Sequence, residues 1–140
     1  MSFCKKTHNV PIRYGETDQM GYVYHGNYAQ FLEIGRIEWI RSLGFSYKKM
    51  ENEGVLLPVL KLELDFKKSA FFDDTLTIET SLKSIPSYFI EFYYQIYNQN
   101  EELLCNAYTK LVFLHSSSRK PIRCPKDILE AINKESDFHK

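Results

Sequence analysis

The stretch NYAQFLEIGRIEWIRSL, residues 27–43, decides the fold because its apolar residues recur at the spacing of a helix. Intervals of three and four residues place them along one face of an α-helix. The main stripe consists of Tyr28, Phe31, Leu32, Gly35 and Trp39. The apolar surface is widened beyond this stripe by Ile34, Ile37 and Ile40. We therefore expect protein to cover this helix on more than one side.

Gly35 and the residues after the helix refine this prediction. A glycine inside a helix costs about 1 kcal/mol relative to alanine, so Gly35 on the apolar stripe predicts the close approach of another backbone. Gly44 is a stop signal, and a short second helix is expected from about Ser46 to Glu53. Two pairs of opposite charge are expected to pair on the remaining polar strip: Glu33 with Arg36, and Glu38 with Arg41.

The other segments have the period of two that is typical of β-strands with one buried face. Residues 8–16 are expected to form a strand before the helix. After Gly54 come four longer runs, which contain Leu60–Phe66, Leu76–Leu82, Ile90–Ile96 and residues 103–115. A turn at Asn98–Asn100 and similar joints between the other runs indicate antiparallel hairpins. CPKDILEAINK, residues 124–134, is expected to close the chain as a short helix.

This order of elements predicts an α+β fold in which a curved antiparallel sheet wraps a long central helix. Residues 1–140 are expected to form one domain, since a chain of this length matches the common domain size. Hydrophobic residues make up 44% of the chain, which is enough for one core without disulfides or a structural metal. Open sheet edges invite pairing with a second copy, so a homodimer or homotetramer is expected.

Composition and charge exclude several classes of partner. Basic and acidic residues balance at 18 each, so no broad electrostatic field attracts nucleic acid or an anionic membrane. No apolar run approaches the roughly 20 residues that span a bilayer, and the N-terminal residues lack the apolar stretch of a secretory signal. The three cysteines are widely spaced and form no zinc or disulfide pattern: Cys4, Cys105 and Cys124. We expect a cytoplasmic protein without membrane insertion.

The loop before the helix, YGETDQMGYVYHGNY at residues 14–28, holds a carboxylate and an imidazole among aromatic residues and glycines. Taken alone, Asp18 is as well explained as a solvated turn or capping residue, and His25 as a first-turn residue bonded to a backbone carbonyl. Tyr14 and Tyr28 fit either core packing or a cleft. The other histidines belong to no constellation and are expected to be structural or exposed: His8, His115 and His139.

The wider segment RYGETDQMGYVYHGNYAQFLEIGRIEWI, residues 13–40, resembles the signature of hotdog-fold acyl-CoA thioesterases of the 4-hydroxybenzoyl-CoA thioesterase type. This family includes bacterial thioesterases associated with the Tol-Pal gene cluster. The matching positions are Tyr14, Thr17, Asp18, Gly21, Val23, Tyr24, His25, Tyr28, Glu33 and Arg36. FKKSAFFDDTLTIET, residues 66–80, is similar to the family's second segment, in which an aspartate precedes a strand. One departure is Glu16, where many members carry Asp; we expect this residue to be exposed and of little consequence.

The resemblance implies a hotdog fold that hydrolyses acyl-CoA to a free acid and coenzyme A without a cofactor. It implies that Asp18 acts as general base or nucleophile, and that His25 orients the thioester, the water or Asp18. Amide groups at the start of the helix, near His25 and Gly26, would bind the carbonyl oxygen because they lack internal partners. Gly26 would also let the acyl group approach the backbone. Further site residues implied are Tyr14, Tyr24 and Tyr28.

The resemblance also implies contacts with coenzyme A, whose phosphates need local cations. The candidates are Lys67, Lys68, Arg119 and Lys120, although lysine pairs are commonly solvated. The pantetheine arm is expected in a groove between subunits, and the acyl group beside aromatic residues such as Phe71, Phe72 and Tyr88. The sequence does not rank short, long or aryl acyl groups, and it leaves coenzyme A or acyl carrier protein open as the carrier.

Rival functions are either without their motifs or left open. The four histidines form no HExxH or comparable cluster, so neither a metal hydrolase nor a metal site is expected. No GxSxG motif supports a serine hydrolase. A dehydratase or an acyl carrier protein thioesterase on the same fold would also use an acid with a histidine. A non-catalytic acyl-binding or scaffold module would keep the fold without hydrolysis.

Overall fold

The elements follow the predicted order of a strand, a long helix, a short helix and four long strands. The computed structural model of the chain describes residues 4–138. In chain order its elements are β1 (Cys4–Pro11), α1 (Tyr28–Ser42), α2 (Tyr47–Asn52), β2 (Val55–Leu56), β3 (Val59–Phe66), β4 (Thr75–Leu82), β5 (Phe89–Tyr97), β6 (Leu103–Val112), β7 (Leu114–His115) and α3 (Lys126–Phe138). Two 3-10 turns, Tyr14–Glu16 and His25–Asn27, lie between β1 and α1.

Five of the strands form one antiparallel sheet in the order β1-β4-β5-β6-β3. The alternating residues of β4 and β5 face the core as predicted: Leu76, Ile78, Thr80, Leu82, Ile90, Phe92, Tyr94 and Ile96 are all buried. The unpredicted short strands β2 and β7 pair with each other in a second small sheet. The α+β class is thereby confirmed.

Gly35 brings α1 into close contact with the sheet. An ideal Cβ built on Gly35 would overlap the Thr80 hydroxyl oxygen and lie 2.9 Å from Cγ2 of Ile78, both on β4. The five residues of the predicted stripe are buried, so the helical spacing identified the face that meets the sheet. The predicted close approach at Gly35 is confirmed.

The ends of the helices also agree with the sequence. Gly44 follows α1 with a φ of 91°, a left-handed conformation that favours glycine, and its amide donates to the carbonyl of Arg41 at 2.9 Å. Ser46 caps α2, since its hydroxyl accepts a hydrogen bond from the amide of Lys49 at 3.1 Å. The turn between α1 and α2 therefore follows from local signals alone.

Arg36 corrects the predicted charge pairing on α1. Its side chain is buried, and Nη1 donates to the hydroxyl of Tyr94 at 3.3 Å rather than pairing with exposed Glu33 on the surface. Tyr94 in turn shares a 2.5 Å hydrogen bond with the Thr109 hydroxyl, and burial raises the pKa of Tyr94 to about 12. The second predicted pair is confirmed, with Arg41 donating to the Glu38 carboxylate at 2.6 Å.

Two strand predictions are wrong in part. β1 spans residues 4–11 rather than 8–16, and residues 14–16 form a 3-10 turn. The alternating apolar face of β3 was predicted to be buried, yet Leu62 is 42% and Phe66 47% exposed. The reason is that α1 packs against β1 and β4, on the far side of the sheet from β3. The edge strand β3 therefore presents an apolar face that this chain does not cover.

We predict that Gly35→Ala lowers the free energy of unfolding by about 1–2 kcal/mol. The added methyl group meets β-branched side chains of a buried strand, and this overpacking exceeds the gain of about 1 kcal/mol in helix propensity. Urea unfolding measures the change, with Gln30→Ala at an exposed position of α1 as the matched control. A Gly35→Ala protein as stable as the wild type would contradict the close contact.

Candidate active site

The loop between β1 and α1 folds into a tight turn that has Asp18 at its first position. The amide of Gly21 donates to the carbonyl of Asp18 at 3.1 Å, and the amide of Asp18 donates to the carbonyl of Tyr22 at 2.7 Å. Gly21 has a φ of 84°, which the turn requires and which glycine adopts without strain. Thr17 and Val23 form a bridge below the turn, so the two arms are held together.

The carboxylate of Asp18 is held within this turn. Oδ1 accepts hydrogen bonds from the amides of Met20 at 2.9 Å and Tyr22 at 3.2 Å, an arrangement in which Asp stabilises a turn. The side chain is exposed in the single chain. No hydrogen bond to Oδ2 is found among residues 4–138, so this oxygen is the one that could accept a proton.

The 3-10 turn His25–Asn27 runs directly into α1, which places His25 and Gly26 at the start of the helical segment as predicted. The amide of Asn27 donates to the carbonyl of Tyr24 at 2.9 Å. Among the described residues, no acceptor takes the amide hydrogens of His25 or Gly26. These two N–H groups are therefore the unpaired donors that a helix start presents.

Glu16 fixes the loop to the helix start and is not the exposed residue that the sequence suggested. It is 7% exposed, and its carboxylate accepts a hydrogen bond from the amide of Arg13 at 2.7 Å. Its carbonyl accepts from the amide of Tyr24 at 3.0 Å and from Nδ2 of Asn27 at 2.8 Å. Through these contacts one residue joins the arm that leads to Asp18 with the turn that holds His25.

The ring of Tyr24 occupies the space beside Gly26. A Cβ on Gly26 would lie 2.5 Å from Cε2 of Tyr24, and the same ring lies against the His25 imidazole with centroids 4.4 Å apart. The lack of a side chain at Gly26 thus admits the Tyr24 ring in the single chain. Because Tyr24 is 52% exposed, its ring is free to move aside for another group.

A cleft of about 230 Å3 brings together residues from the loop and from the end of β3. It is lined by Val23, His25, Tyr28, Phe66, Lys67, Lys68 and Ser69. Tyr28 is buried against the rings of Phe31 and Phe66, at centroid distances of 5.6 and 4.9 Å. Burial raises the pKa of Tyr28 to about 12, so the phenol stays protonated at neutral pH.

Two of the three cations predicted to contact coenzyme A lie at this cleft, and both are already paired. Nζ of Lys67 lies 2.9 Å from the Asp65 carboxylate, and Nζ of Lys68 lies 2.5 Å from that of Glu102. Arg119 lies elsewhere, in an exposed turn after β7. The structure therefore joins His25, Tyr28 and the two lysines, and it leaves Arg119 apart from them.

Tyr14 and Asp18 lie outside the cleft, beside exposed aromatic side chains. Tyr14 meets Phe72 edge to face, with ring centroids 5.7 Å apart, and Tyr22 meets Phe71 at 5.0 Å. These two aromatic pairs belong to the segments that carry the Asp18 turn and the residues following β3. Tyr88, the third aromatic acyl-pocket candidate, lies under the Arg123 guanidinium at 5.0 Å.

The sequence missed Ser69 and Val23 as lining residues of the cleft. Ser69 follows the lysine pair in the second matching segment, which was the available signal, whereas nothing in the pattern singled out Val23. His8 bonds to the Thr77 hydroxyl at 3.2 Å. His115 bonds to the Ser117 hydroxyl at 2.9 Å, and His139 lies outside the described residues.

Metal ligation and membrane insertion were also considered for residues 4–138. Within that range, no three side chains of His, Cys, Asp or Glu gather in a way that suits a metal ion. Among its helices, none combines the length and the apolar character needed to cross a bilayer. Cys105 and Cys124 are buried free thiols, and burial raises the pKa of both, to about 11 and about 12.

Comparisons with known proteins give a consistent result. The family model of the thioesterase-like superfamily matches residues 12–132. YneP of Bacillus subtilis is 38% identical over 117 residues, which cover 84% of this chain and 85% of YneP. The acyl-CoA thioester hydrolase YbgC of Escherichia coli is 32% identical over 120 residues, or 86% of this chain and 90% of YbgC.

A solved structure extends the similarity to three dimensions. The DHNA-CoA thioesterase from Staphylococcus aureus superposes with a TM-score of 0.87 at 33% identity, over 99% of this chain and 93% of that one. The hotdog architecture expected from the sequence is thereby confirmed.

We predict that Gly26→Ala displaces the Tyr24 ring from the His25 imidazole. NMR detects this as a shift of the imidazole proton resonances when the ring current of Tyr24 is lost. Tyr24→Ala should produce the same shift, and adding Gly26→Ala to it should change little, because the ring with which the methyl group collides is gone. Independent, additive shifts from the two substitutions would contradict the contact between Tyr24 and Gly26.

Proposed function

This chain belongs to the thioesterase-like superfamily and is an acyl-CoA thioesterase, and we propose that hydrolysis takes place at the loop between β1 and α1. The observation that carries this proposal is the pair of unpaired amide donors at His25 and Gly26. They follow the Asp18 turn by only a few residues and border a cleft that contains lysines. Oxyanion stabilisation, an acid or base and phosphate-binding cations are thus adjacent in one region.

The amide groups of His25 and Gly26 bind the carbonyl oxygen of the thioester in the proposed mechanism. When a nucleophile attacks the carbonyl carbon, this oxygen becomes negative, and the partial positive charge of the helix start stabilises it. Removing one such donor typically costs about 3 kcal/mol in the transition state. The Tyr24 ring moves aside to admit the thioester, and then packs against the acyl group rather than against Gly26.

Asp18 supplies the base or the nucleophile. In the first case Oδ2 accepts a proton from a water molecule whose oxygen attacks the carbonyl carbon; the C–S bond then breaks, and the thiolate of coenzyme A takes up a proton. In the second case the carboxylate attacks first, and water hydrolyses the resulting anhydride. The two backbone bonds to Oδ1 orient the carboxylate in both cases.

The remaining predicted residues take supporting roles. His25 orients the thioester or the attacking water from the cleft wall, and Tyr28 forms the apolar floor with its phenol protonated. Tyr14 covers the Asp18 side of the site. Lys67 and Lys68 contact the phosphates of coenzyme A, and Arg119 joins them only if a second subunit brings it there.

A second copy of the chain completes the site by pairing along β3. This strand is a sheet edge, and its uncovered apolar face includes Leu62, Leu64 and Phe66. Phe66 also lines the cleft, so a copy seated on this face reaches the substrate. The arrangement supports a homodimer of single-domain chains, or a tetramer built from two dimers, with the pantetheine arm between subunits.

We place the chain with the Tol-Pal-associated thioesterases on the loop motif, and in the cytoplasm on its composition. A non-catalytic acyl-binding module is the second candidate, and the exposure of Asp18 in the single chain is the observation that favours it. Measuring thiol release from a panel of acyl-CoA and acyl carrier protein thioesters separates the candidates. Saturable binding without release from any thioester would support the binding module.

We predict that Asp18→Asn lowers the rate of acyl-CoA hydrolysis by about a hundredfold or more while the stability stays near that of the wild type. Asparagine keeps an oxygen to accept the amides of Met20 and Tyr22 but loses the basic carboxylate. Asp18→Ala is the matched control, since it loses both turn bonds and about 1 kcal/mol of stability as well. Wild-type turnover in Asp18→Asn would exclude Asp18 as base or nucleophile.

We predict that the wild-type protein is at least a dimer and that Leu62→Lys shifts it towards monomer with loss of activity. The added charge would be desolvated in the apolar interface but is harmless on the free edge of β3. Light scattering after size exclusion measures the mass. Ile85→Lys, at an equally exposed position in the β4–β5 turn, is the control. A fully active wild-type monomer would contradict the assembly.

A further inference from the structure

Lys68 stands between two clefts. It lines the His25 cleft of about 230 Å3 and also a neighbouring groove of about 470 Å3, and Ser69 is likewise common to both. The aromatic pair Tyr22 and Phe71 lies in the second groove, together with the β5–β6 turn. The backbone amide of Lys68 donates to the carbonyl of Leu104 at 3.2 Å, which anchors the segment to the start of β6.

The ammonium group of Lys68 crosses this boundary to reach Glu102. Nζ lies 2.5 Å from Oε2 of Glu102, a residue 34 positions later in the sequence. Both side chains are largely exposed, so water screens the ion pair and its net strength is modest. A pair of this kind can be displaced by an anion that carries more charge than one carboxylate.

The carboxylate of Glu102 is held in place by the β5–β6 turn. Its second oxygen, Oε1, accepts a hydrogen bond from Nδ2 of Asn98 at 2.9 Å. The side-chain oxygen of Asn98 accepts the amides of Asn100 and Glu102, each at 3.0 Å, and Asn98 is only 9% exposed. Hydrogen bonds from Lys68 and Asn98 lower the pKa of Glu102, so the carboxylate is ionised at neutral pH.

We propose that Glu102 is an internal competitor for the Lys68 ammonium group, which the phosphates of the substrate must displace, and that it thereby sets the affinity for coenzyme A. This inference rests on the proposed function, in which Lys68 contacts those phosphates. Phosphate groups bind ammonium more strongly than a screened carboxylate does, because they carry more charge. Glu102 therefore weakens the binding of acyl-CoA and of released coenzyme A alike, which favours product release.

Removing the charge of Glu102 tests the proposal. Glu102→Gln keeps an oxygen that can accept from Asn98 but frees Lys68, so the KM for acyl-CoA and the Kd for free coenzyme A should each fall about fivefold. The kcat should stay unchanged. The KM for an acyl-N-acetylcysteamine thioester, which has no phosphate, should also stay unchanged. Enzyme kinetics and isothermal titration calorimetry provide these values.

Two further variants sharpen the test. Lys68→Met should raise the KM and the Kd, and adding Glu102→Gln to Lys68→Met should have no effect, because the competitor has lost its target. Glu38→Gln removes the same charge from an ion pair with Arg41 on α1, so it controls for net charge and should change neither constant. If Glu102→Gln folds poorly, Glu102→Asp withdraws the carboxylate from Lys68 and should tighten binding as well.

Each result decides the matter. An unchanged or weaker affinity in a folded Glu102→Gln protein would overturn the proposal, because Glu102 would then be neutral or helpful to binding. Equal tightening for the thioester without phosphate would overturn it too. If the wild type hydrolyses no acyl-CoA, the proposed function fails, whereas calorimetry with free coenzyme A still measures whether Glu102 competes for Lys68.

Discussion

The contact between Gly35 of α1 and β4 determines where the chemistry can take place. With hydrogen in place of a side chain, the helix axis lies closer to the sheet than any larger residue would allow. Because a helix is stiff, fixing its middle also fixes its first turn, where His25 and Gly26 present their amides. Glu16 then ties the preceding loop to that turn. A packing constraint in the core is thus converted into the position of two hydrogen-bond donors at the surface.

The site combines groups that are weak alone. A carboxylate in an exposed turn and a pair of surface lysines are ordinary features of soluble proteins, and each lysine is neutralised by a neighbouring acid. They gain strength when substrate and a second subunit exclude water, since electrostatic interactions grow as the local dielectric falls. The uncovered face of β3 beside the cleft is therefore part of the functional design. Half of the enclosure has to come from outside the single chain.

Much of this architecture could be predicted from periodicity. The stripe of α1, the alternation of β4 and β5 and the stop at Gly44 each depend on local pattern, and the structure confirms them. Arg36, by contrast, was assigned to the surface, because the sequence does not show that a hydroxyl on a distant strand will receive its guanidinium. Burial of Glu16 likewise depends on how the loop folds back. Alternation in β3 identified its apolar face correctly but not what covers it.

The predicted site residues divide along the same line. His25 and Tyr28 adjoin in the sequence, and the lysines reach the same cleft through the end of β3, so the resemblance of both segments to one family anticipated their meeting. The pairing of those lysines with acids was not anticipated, because Glu102 belongs to a hairpin turn that carries no catalytic motif. Long-range ion pairs of this kind leave no periodic signal in a single sequence.

A crystal structure with an acyl-CoA analogue whose thioester sulfur is replaced by methylene gives the clearest answer. The carbonyl oxygen of the analogue should lie within hydrogen-bond distance of the His25 and Gly26 amides, with an Asp18 carboxylate oxygen or its bound water near the carbonyl carbon. An analogue bound with its carbonyl away from the helix start, while Asp18 remains in solvent, would contradict the proposed chemistry.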